Sequence, residues 1–411
     1  MKNFLDLCHF ENKKLMQKNY VRIALLAIVL ITILLNLSPL LQKSQVAYLD
    51  ENNQVVLEEV TYYQKVQLER KFAEQYNGKP LTNEICNDVK TLNAAYNRET
   101  SLDDGGYIPL LNTLLPYRSL IELGINPDNE MSNLADQAYD LMLAEQENRC
   151  PENAEEFWAQ KRNNMEIPLT MYYAQGYYSI LKTLYWPLVM GLCFVVFCLC
   201  SVFSNENAYR TDSLIRTTLL GTSKTSLAKL VTGEAIAISV IAVLSGITVI
   251  IQFAIHGVSG AQAPVQLLKN IGQNQFAYRS GTLTAGNAVI MVVLIGLLLA
   301  LFLGAATMML SKVFNATVPA LVLPISIMLL SLLISDDAGL YSIYEPRNQI
   351  MSFFPLQRMD VEGIILDERL VTLVGSQLTA TQMSILLYGG MAAFLLLGCL
   401  VICKATVKSK K

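Results

Sequence analysis

The sequence predicts an all-α polytopic membrane protein, with six transmembrane helices and a mostly helical extracytoplasmic domain between the first and second. Three observations carry that prediction. Of 411 residues, 53% are hydrophobic and only 16% charged, against roughly 25% charged in an ordinary soluble domain. The apolar residues fall into blocks of about twenty, the helical length that spans a hydrocarbon core. Lys and Arg crowd alternate connections between those blocks, the asymmetry that fixes sidedness. An ordinary soluble enzyme is therefore excluded. A net charge of −3, from 31 basic and 34 acidic residues, leaves no basic surface for a nucleic-acid partner.

Residues 1–22 form a cytoplasmic N-terminal amphipathic segment. Phe4, Leu5 and Cys8 fall near one helical face with Lys13, Lys14 and Lys18 beyond it, the pattern of a helix lying in the headgroup layer. A basic tail that only holds topology is the equal alternative. Residues 23–41 are the first span. No small-residue cleavage site follows at Ser38, Pro39, Leu40, Leu41 and Gln42, so the segment reads as a retained anchor and not as a signal peptide. The other spans are expected at 184–203, 235–255, 288–310, 316–334 and 385–403, each nearly free of charge. The five spans of region 184–403 enclose a cytoplasmic loop at 204–230, and residues 404–411 are a basic tail.

The segments assigned inside are the N-terminal tail, the second-to-third loop, Lys312 and the C-terminal tail. They hold fourteen basic residues against five acidic ones, Asp6, Glu11, Glu206, Asp212 and Glu234. Both termini are thus expected in the cytoplasm, in a bacterial cell membrane. No charged residue is expected deep within a span, which argues against an ion-coupled carrier.

Residues 42–183 are the expected extracytoplasmic domain, with twelve basic and twenty-two acidic residues. Val46, Tyr48, Val55, Val56 and Leu57 flank the run Asp50, Glu51, Asn52 and Asn53 and predict a β-hairpin. Tyr63, Val66, Leu68 and Phe72 then predict an amphipathic helix that Asn77, Gly78, Lys79 and Pro80 end, with Thr82 and Glu84 starting the next. Further helices are expected at 133–147 and 154–163. Cys86 and Cys150 are a candidate disulfide, with two free thiols the equal alternative. Tyr172, Tyr173, Tyr177, Tyr178, Tyr185 and Trp186 precede the second span as an expected interfacial anchor; stacking of a substrate is the alternative.

In the later spans Pro319 and Pro324 are candidate hinges, since each removes a backbone donor. Gly296, Gly304, Ala305 and Ala306, like Gly389, Gly390, Ala392 and Ala393, allow close helix packing within the bundle or between two chains.

The loop after the second span carries the functional reading. Leu214, Ile215, Leu219 and Leu220 recur on one helical face while Arg210, Asp212, Arg216 and Thr217 occupy another, which describes a short amphipathic helix. Gly221 ends it, and Thr222 or Ser223 caps the next, which passes through Lys224 and Lys229 into the third span. An ordinary solvated loop needs charge for topology but no amphipathic helix.

Glu206 just after a span, then Thr-Asp-Ser-Leu-Ile-Arg-Thr-Thr, Gly221 and an Ala-Lys pair leading into the next span resemble the coupling region of ABC transporter permeases. The class is the type-two exporters, drug- or lantibiotic-type, of Gram-positive bacteria. Six spans and a large external insertion after the first suit that class, while the motif covers only residues 203–233. Relatives often place Arg soon after the Gly; here Thr222 and Ser223 precede Lys224.

The resemblance implies a permease subunit in which Glu206, Arg210, Asp212, Leu214, Ile215, Arg216, Leu219, Gly221 and Lys224 form the ATPase-coupling surface. Its partners would be an ABC ATP-binding subunit, which carries the ATP and Mg, and a second permease chain in a homodimer or heterodimer within the lipid bilayer. The N-terminal segment would be a connecting helix beside the ATPase, and the stretch after the fifth span would dip back towards the bilayer as short helices. The cargo stays open; the acidic external domain makes a cationic peptide one candidate.

No cofactor or metal is expected in this chain. Gly221-Thr-Ser-Lys224-Thr lacks the first Gly and the spacing of a phosphate-binding loop. His9 and His256 are isolated, so no catalytic set is assembled. Cys193, Cys198 and Cys200 lie in an apolar helix, where Cys behaves as a small hydrophobe. The alternative function is a membrane-anchored sensor or scaffold whose external domain binds a ligand.

Overall fold

The computed structural model describes residues 2–49, 55–80, 108–109, 156, 160, 163–164, 170–208, 221–265, 268, 283–330, 353–359, 370–373 and 376–408. Among these, five helices are long and apolar enough to cross a membrane, and a shorter apolar helix spans Thr317–Leu330. The chain is therefore a helical membrane protein. The fifth of the six predicted spans, at 316–334, is described as far as Leu330.

Helix α1 (Lys2–Met16) is followed at once by α2 (Asn19–Leu37) and a 3-10 turn, Ser38–Leu41. Strands β1 (Lys43–Leu49) and β2 (Val55–Thr61) form the expected antiparallel hairpin, and β3 (Ile108–Pro109) adds to β1 in parallel. The amphipathic helix expected next is α3 (Tyr62–Glu74), started by a capping box in which Thr61 and Gln64 satisfy each other's backbone donors. Its Leu68 and Phe72 pack on Val46 and Val60 of the hairpin. Gly78, at φ +78, ends this unit as the Asn-Gly-Lys-Pro run predicted. The elements expected near Thr82 and Glu84 and at 133–147, most of 154–163, and the Cys86–Cys150 pair lie outside the described residues.

The bundle is built from α4 (Gln175–Leu199), α5 (Ser204–Ala208), α6 (Gly221–His256), α7 (Ala285–Phe314), α8 (Thr317–Leu330) and α9 (Ala380–Lys408). Helix α4 is central: 78% of its most apolar window is buried, against 11% for α2 and 17% for α9, which turn Leu26, Leu34, Phe394 and Leu397 outward. Small residues set the close approaches. A side chain at Gly191 would strike Ile241 of α6, and one at Gly296 would press on Leu188 of α4. The small residues of α7 therefore pack inside this bundle, while at Gly390 of α9 nothing lies within 4 Å.

Several expectations are corrected. Helix α4 begins at Gln175, ahead of the predicted 184, because Tyr177, Tyr178, Ile180 and Leu181 are themselves buried core. The Tyr-rich run is thus only partly an outward anchor: Tyr173, Tyr177 and Tyr178 are buried, whereas Trp186 is exposed. Helix α6 starts at Gly221, so Thr222 and Ser223 lie inside its first turn and do not cap it from outside.

Its 36 residues measure about 54 Å at a rise of about 1.5 Å per residue, well beyond a hydrocarbon core of about 30 Å. The excess carries Lys229 and Glu234, both buried, so charged groups do enter the helical packing. Pro319 falls in the first turn of α8, where its missing N–H has no acceptor within the helix; Pro324 alone of the pair removes an interior bond. Pro187 lies inside α4 as well.

Part of the stretch after α8 does lie against the bundle: Tyr388 of α9 donates a hydrogen bond to the Phe353 carbonyl, and a 3-10 turn, Gln357–Met359, follows with Arg358 buried over the Phe353 ring. The next described piece is not helical. Strands β4 (Leu370–Leu373) and β5 (Ser376–Thr379) make a hairpin that leads into α9.

Candidate functional site: a charged knot at the α4–α6 connection

The sequence before Glu206 dictates where its carboxylate ends up. Apolar α4 runs to Leu199, and Cys200 to Phe203 continue as buried turns. The backbone N–H groups of Phe203 and Ser204 donate to the Ser311 hydroxyl of α7 at 3.3 and 3.1 Å. The Ser204 hydroxyl meets that of Thr317, at the start of α8, at 2.9 Å. These bonds hold α5 against the ends of α7 and α8. Helix α7 can stop there because Asn315 takes the left-handed conformation, φ 50, that Asn tolerates.

Glu206 then faces Lys229, carried on the overhang of α6. The Lys229 ammonium is 2.5 Å from Glu206 Oε1 and 3.6 Å from Glu11 Oε2 of α1, and it donates to the Val202 carbonyl at 3.0 Å. Lys14 of α1 completes the set, 3.3 Å from the same Glu206 oxygen and 3.9 Å from Glu11. The Phe203 ring lies between two cations, its centroid 5.5 Å from Lys229 Nζ and 5.7 Å from Lys312 Nζ. Lys229 is only 2% exposed. Two ammonium groups and two carboxylates balance in charge, which is what lets Lys229 and Glu11 be buried while Lys14 and Glu206 stay at the edge of the set. Around them Lys18 donates to Ser201 at 2.8 Å and Thr232 donates to the Cys8 carbonyl at 3.3 Å, so α1 is strapped along α6.

Of the residues singled out from sequence, Glu206 is thus in the knot, Gly221 begins α6 and Lys224 is exposed on its first turns. Arg210, Asp212, Leu214, Ile215, Arg216 and Leu219 lie outside the described residues. The described chain leaves at Ala208 and returns at Gly221, on either side of that stretch. Lys229, Glu11 and Lys14 were read as topological charge and, for the two lysines, as parts of helices, without a partner for any of them. Glu11, one turn from Leu15 at i, i+4, was the one local signal; Lys229 lies between Ala228 and Leu230, successive residues that share no helical face, and is buried by partners distant in sequence.

A second polar cluster sits at the other end of the bundle, where α3 meets α4 and α6. The Tyr62 and Ser179 hydroxyls lie 3.3 and 3.2 Å from His256 Nε2. Both hydroxyls converge on the same imidazole nitrogen, and the tautomer of the ring sets which atom donates in each contact. His256 is 1% exposed. Burial, followed by the nearby Glu69 carboxylate, pushes the Tyr62 phenol up to about 12. Tyr173 is pushed upward for the same reasons. Gly257 follows at φ +89, and a Cβ there would lie 2.7 Å from the Arg70 guanidinium. Among the described residues His256 Nδ1 is buried without a hydrogen-bond partner. This cluster is a clasp.

No group of three or more His, Cys, Asp or Glu among the described residues could hold a metal ion. Fold and sites together define a helical membrane protein with a charged knot at one end of its bundle and a hydrogen-bonded clasp on His256 at the other. No protein family, curated protein or solved structure matches the chain.

Proposed function

We propose that this chain is the membrane-spanning permease subunit of an ATP-driven ABC exporter, forming the translocation pathway and driven by a separate ATP-binding subunit. One observation carries the reading furthest. The stretch 209–220, amphipathic in sequence, is flanked by Glu206 and Lys229, which meet each other and α1 in a buried ionic knot. A push on that stretch from a soluble partner would pass into α1, α4, α6 and α7 together through the knot and the Ser311 bonds. A rigid joint of this kind suits a lever; a loop that only sets topology has no use for one.

In this reading both termini and the knot face the cytoplasm, and residues 42–183 lie outside. ATP and Mg belong to the partner, and two permease chains make the pathway. The test is co-purification with the product of a cassette-ATPase reading frame beside this one. A stoichiometric complex that is lost when Leu214 and Leu219 are both changed to Glu, with the purified chain still folded, supports the exporter. Nucleotide hydrolysis by the chain alone, or labelling of an introduced Cys at 214 from outside the cell, overturns it. A complex with no ATPase in it favours the sensor or scaffold.

A further inference from the structure

Between α1, α2 and α6 the bundle leaves an open groove of about 470 Å³, within the range of about 300–1,000 Å³ that holds one small ligand. Its shape follows from the two helices that wall it. Helices α2 and α6 are joined where Asn36 donates to Thr248 at 3.3 Å and accepts from Gln252 at 2.9 Å. On the α1 side of that seal the walls are Leu25 and Val29 of α2 and Ala235 and Val243 of α6, all apolar. The end nearest α1 is polar, lined by His9 and Asn12.

We infer that this groove binds one anionic phospholipid, its acyl chain between α2 and α6 and its phosphate against α1. Three features select that occupant. Along α6 the lining runs from Val231 to Val243, about 18 Å at a rise of about 1.5 Å per residue. That is close to one leaflet of a core about 30 Å thick. The polar residues His9, Asn12 and Thr232 gather at the end where a headgroup would lie, while Ser239, the one hydroxyl along the apolar wall, donates to the Ala235 carbonyl of its own helix. Cations stand at that rim: Arg22 is anchored there by donating to the carbonyl of Met16, itself a lining residue, at 2.6 Å, and exposed Lys13 adjoins Asn12. Lys14 and Lys18 turn away into the knot and its surroundings. A second copy of the chain would match the apolar walls but not a basic rim of the same sign as its own. Nothing in this inference depends on export.

The experiment is native mass spectrometry of the full chain purified in mild detergent, titrated in parallel with phosphatidylglycerol and phosphatidylcholine. The expected result is one retained phosphatidylglycerol per chain, with phosphatidylcholine bound at least about tenfold more weakly, since each juxtamembrane cation contributes about 1 kcal/mol towards an anionic lipid. Arg22→Gln with Lys13→Gln should remove the preference. Ala235→Trp, at an exposed position that fills the groove without touching the rim, should weaken retention of both lipids. Equal retention of the two lipids by the unmodified chain overturns the inference. So does a preference that survives the charge variants, or an Ala235→Trp chain that retains lipid and instead loses a dimer.

Discussion

The two ends of the bundle are fastened by different chemistry. At the α4–α6 connection the fastening is ionic and doubled: Glu206 and Glu11 share Lys229 and Lys14, and removing any one strands another. At the α3 end the bonds that reach between elements are neutral: Tyr62 and Ser179 converge on His256, while the Lys65–Glu69 pair, at 3.8 Å, stays within α3 and the chain turns at Gly257 under Arg70. A buried ion pair adds little net stability compared with apolar packing but is costly to break by halves, whereas a neutral hydrogen bond is modest to make and modest to lose. The first end is thus built to move as one piece or not at all. The second is built to be held weakly.

The largest expected effect tests the ionic end. Lys229→Met leaves two carboxylates near a single, partly exposed ammonium, and a half-broken buried pair costs about 3–5 kcal/mol. Denaturation in mild detergent should register a loss of that size. Lys229→Met combined with Glu206→Gln should recover part of it, because the second change removes the stranded charge. A loss in the double variant equal to the sum of the Lys229→Met and Glu206→Gln losses would mean that the groups act independently and that no knot exists.

Next is the turn at the clasp. Gly257 N–H donates to Phe253 O at 2.9 Å and closes the last turn of α6 at φ +89. Gly257→Ala places a Cβ in the left-handed region, at a cost of about 1–2 kcal/mol, and displaces Arg70. The same denaturation measurement should show a loss smaller than that of Lys229→Met. A larger one would reverse the ranking of the two ends.

Tyr62→Phe removes one of the two hydroxyls on His256 and should cost about 1 kcal/mol. It also changes the alkaline limb of stability. The folded-state phenol titrates at about 12, above its ordinary 10.0, so above pH 10 the unfolded chain releases a proton that the folded chain keeps. This contribution is whole below pH 10, falls as pH rises from 10 towards 12, and is gone above that. The Phe variant should lack this share of the decline; an unchanged alkaline slope would show that the phenol is not shielded.

The difference between the ends also explains what the sequence could reveal. Spans, hairpin and α3 follow from apolar blocks, period-two alternation and caps, all local signals. Glu206 was legible because it follows a span directly. Its partners were not: Lys14 is 192 positions away, and Lys229, though expected in the helix that leads into the third span, lay ahead of the span itself, which was started after the last charge, Glu234. Hydropathy places a boundary where charge appears, but a helix continues through charge whenever its neighbours supply partners, as Val202, Glu206 and Glu11 do for Lys229. His256 looked isolated because its partners Tyr62 and Ser179 reach it from 194 and 77 positions away. Pro319 and Pro324 looked equivalent until the start of α8 set one of them in its first turn.

The smallest expected effect lies between the two ends, where α2 meets α6. Asn36 is fully buried, with its side-chain donor on Thr32 O and Thr248 and its oxygen accepting from Gln252. Gln252→Leu leaves Asn36 its other bonds, and interhelical hydrogen bonds within a bilayer average about 0.6 kcal/mol. The unfolded chain in detergent also finds partners for both amides, which keeps the difference small. A loss near that value would make α2 a helix held mainly by its ends, through α1 at the knot and the hairpin at the clasp. A loss comparable to that of Lys229→Met would make the middle of α2 a third fixed point, and the contrast between the two ends would no longer describe how the bundle is held.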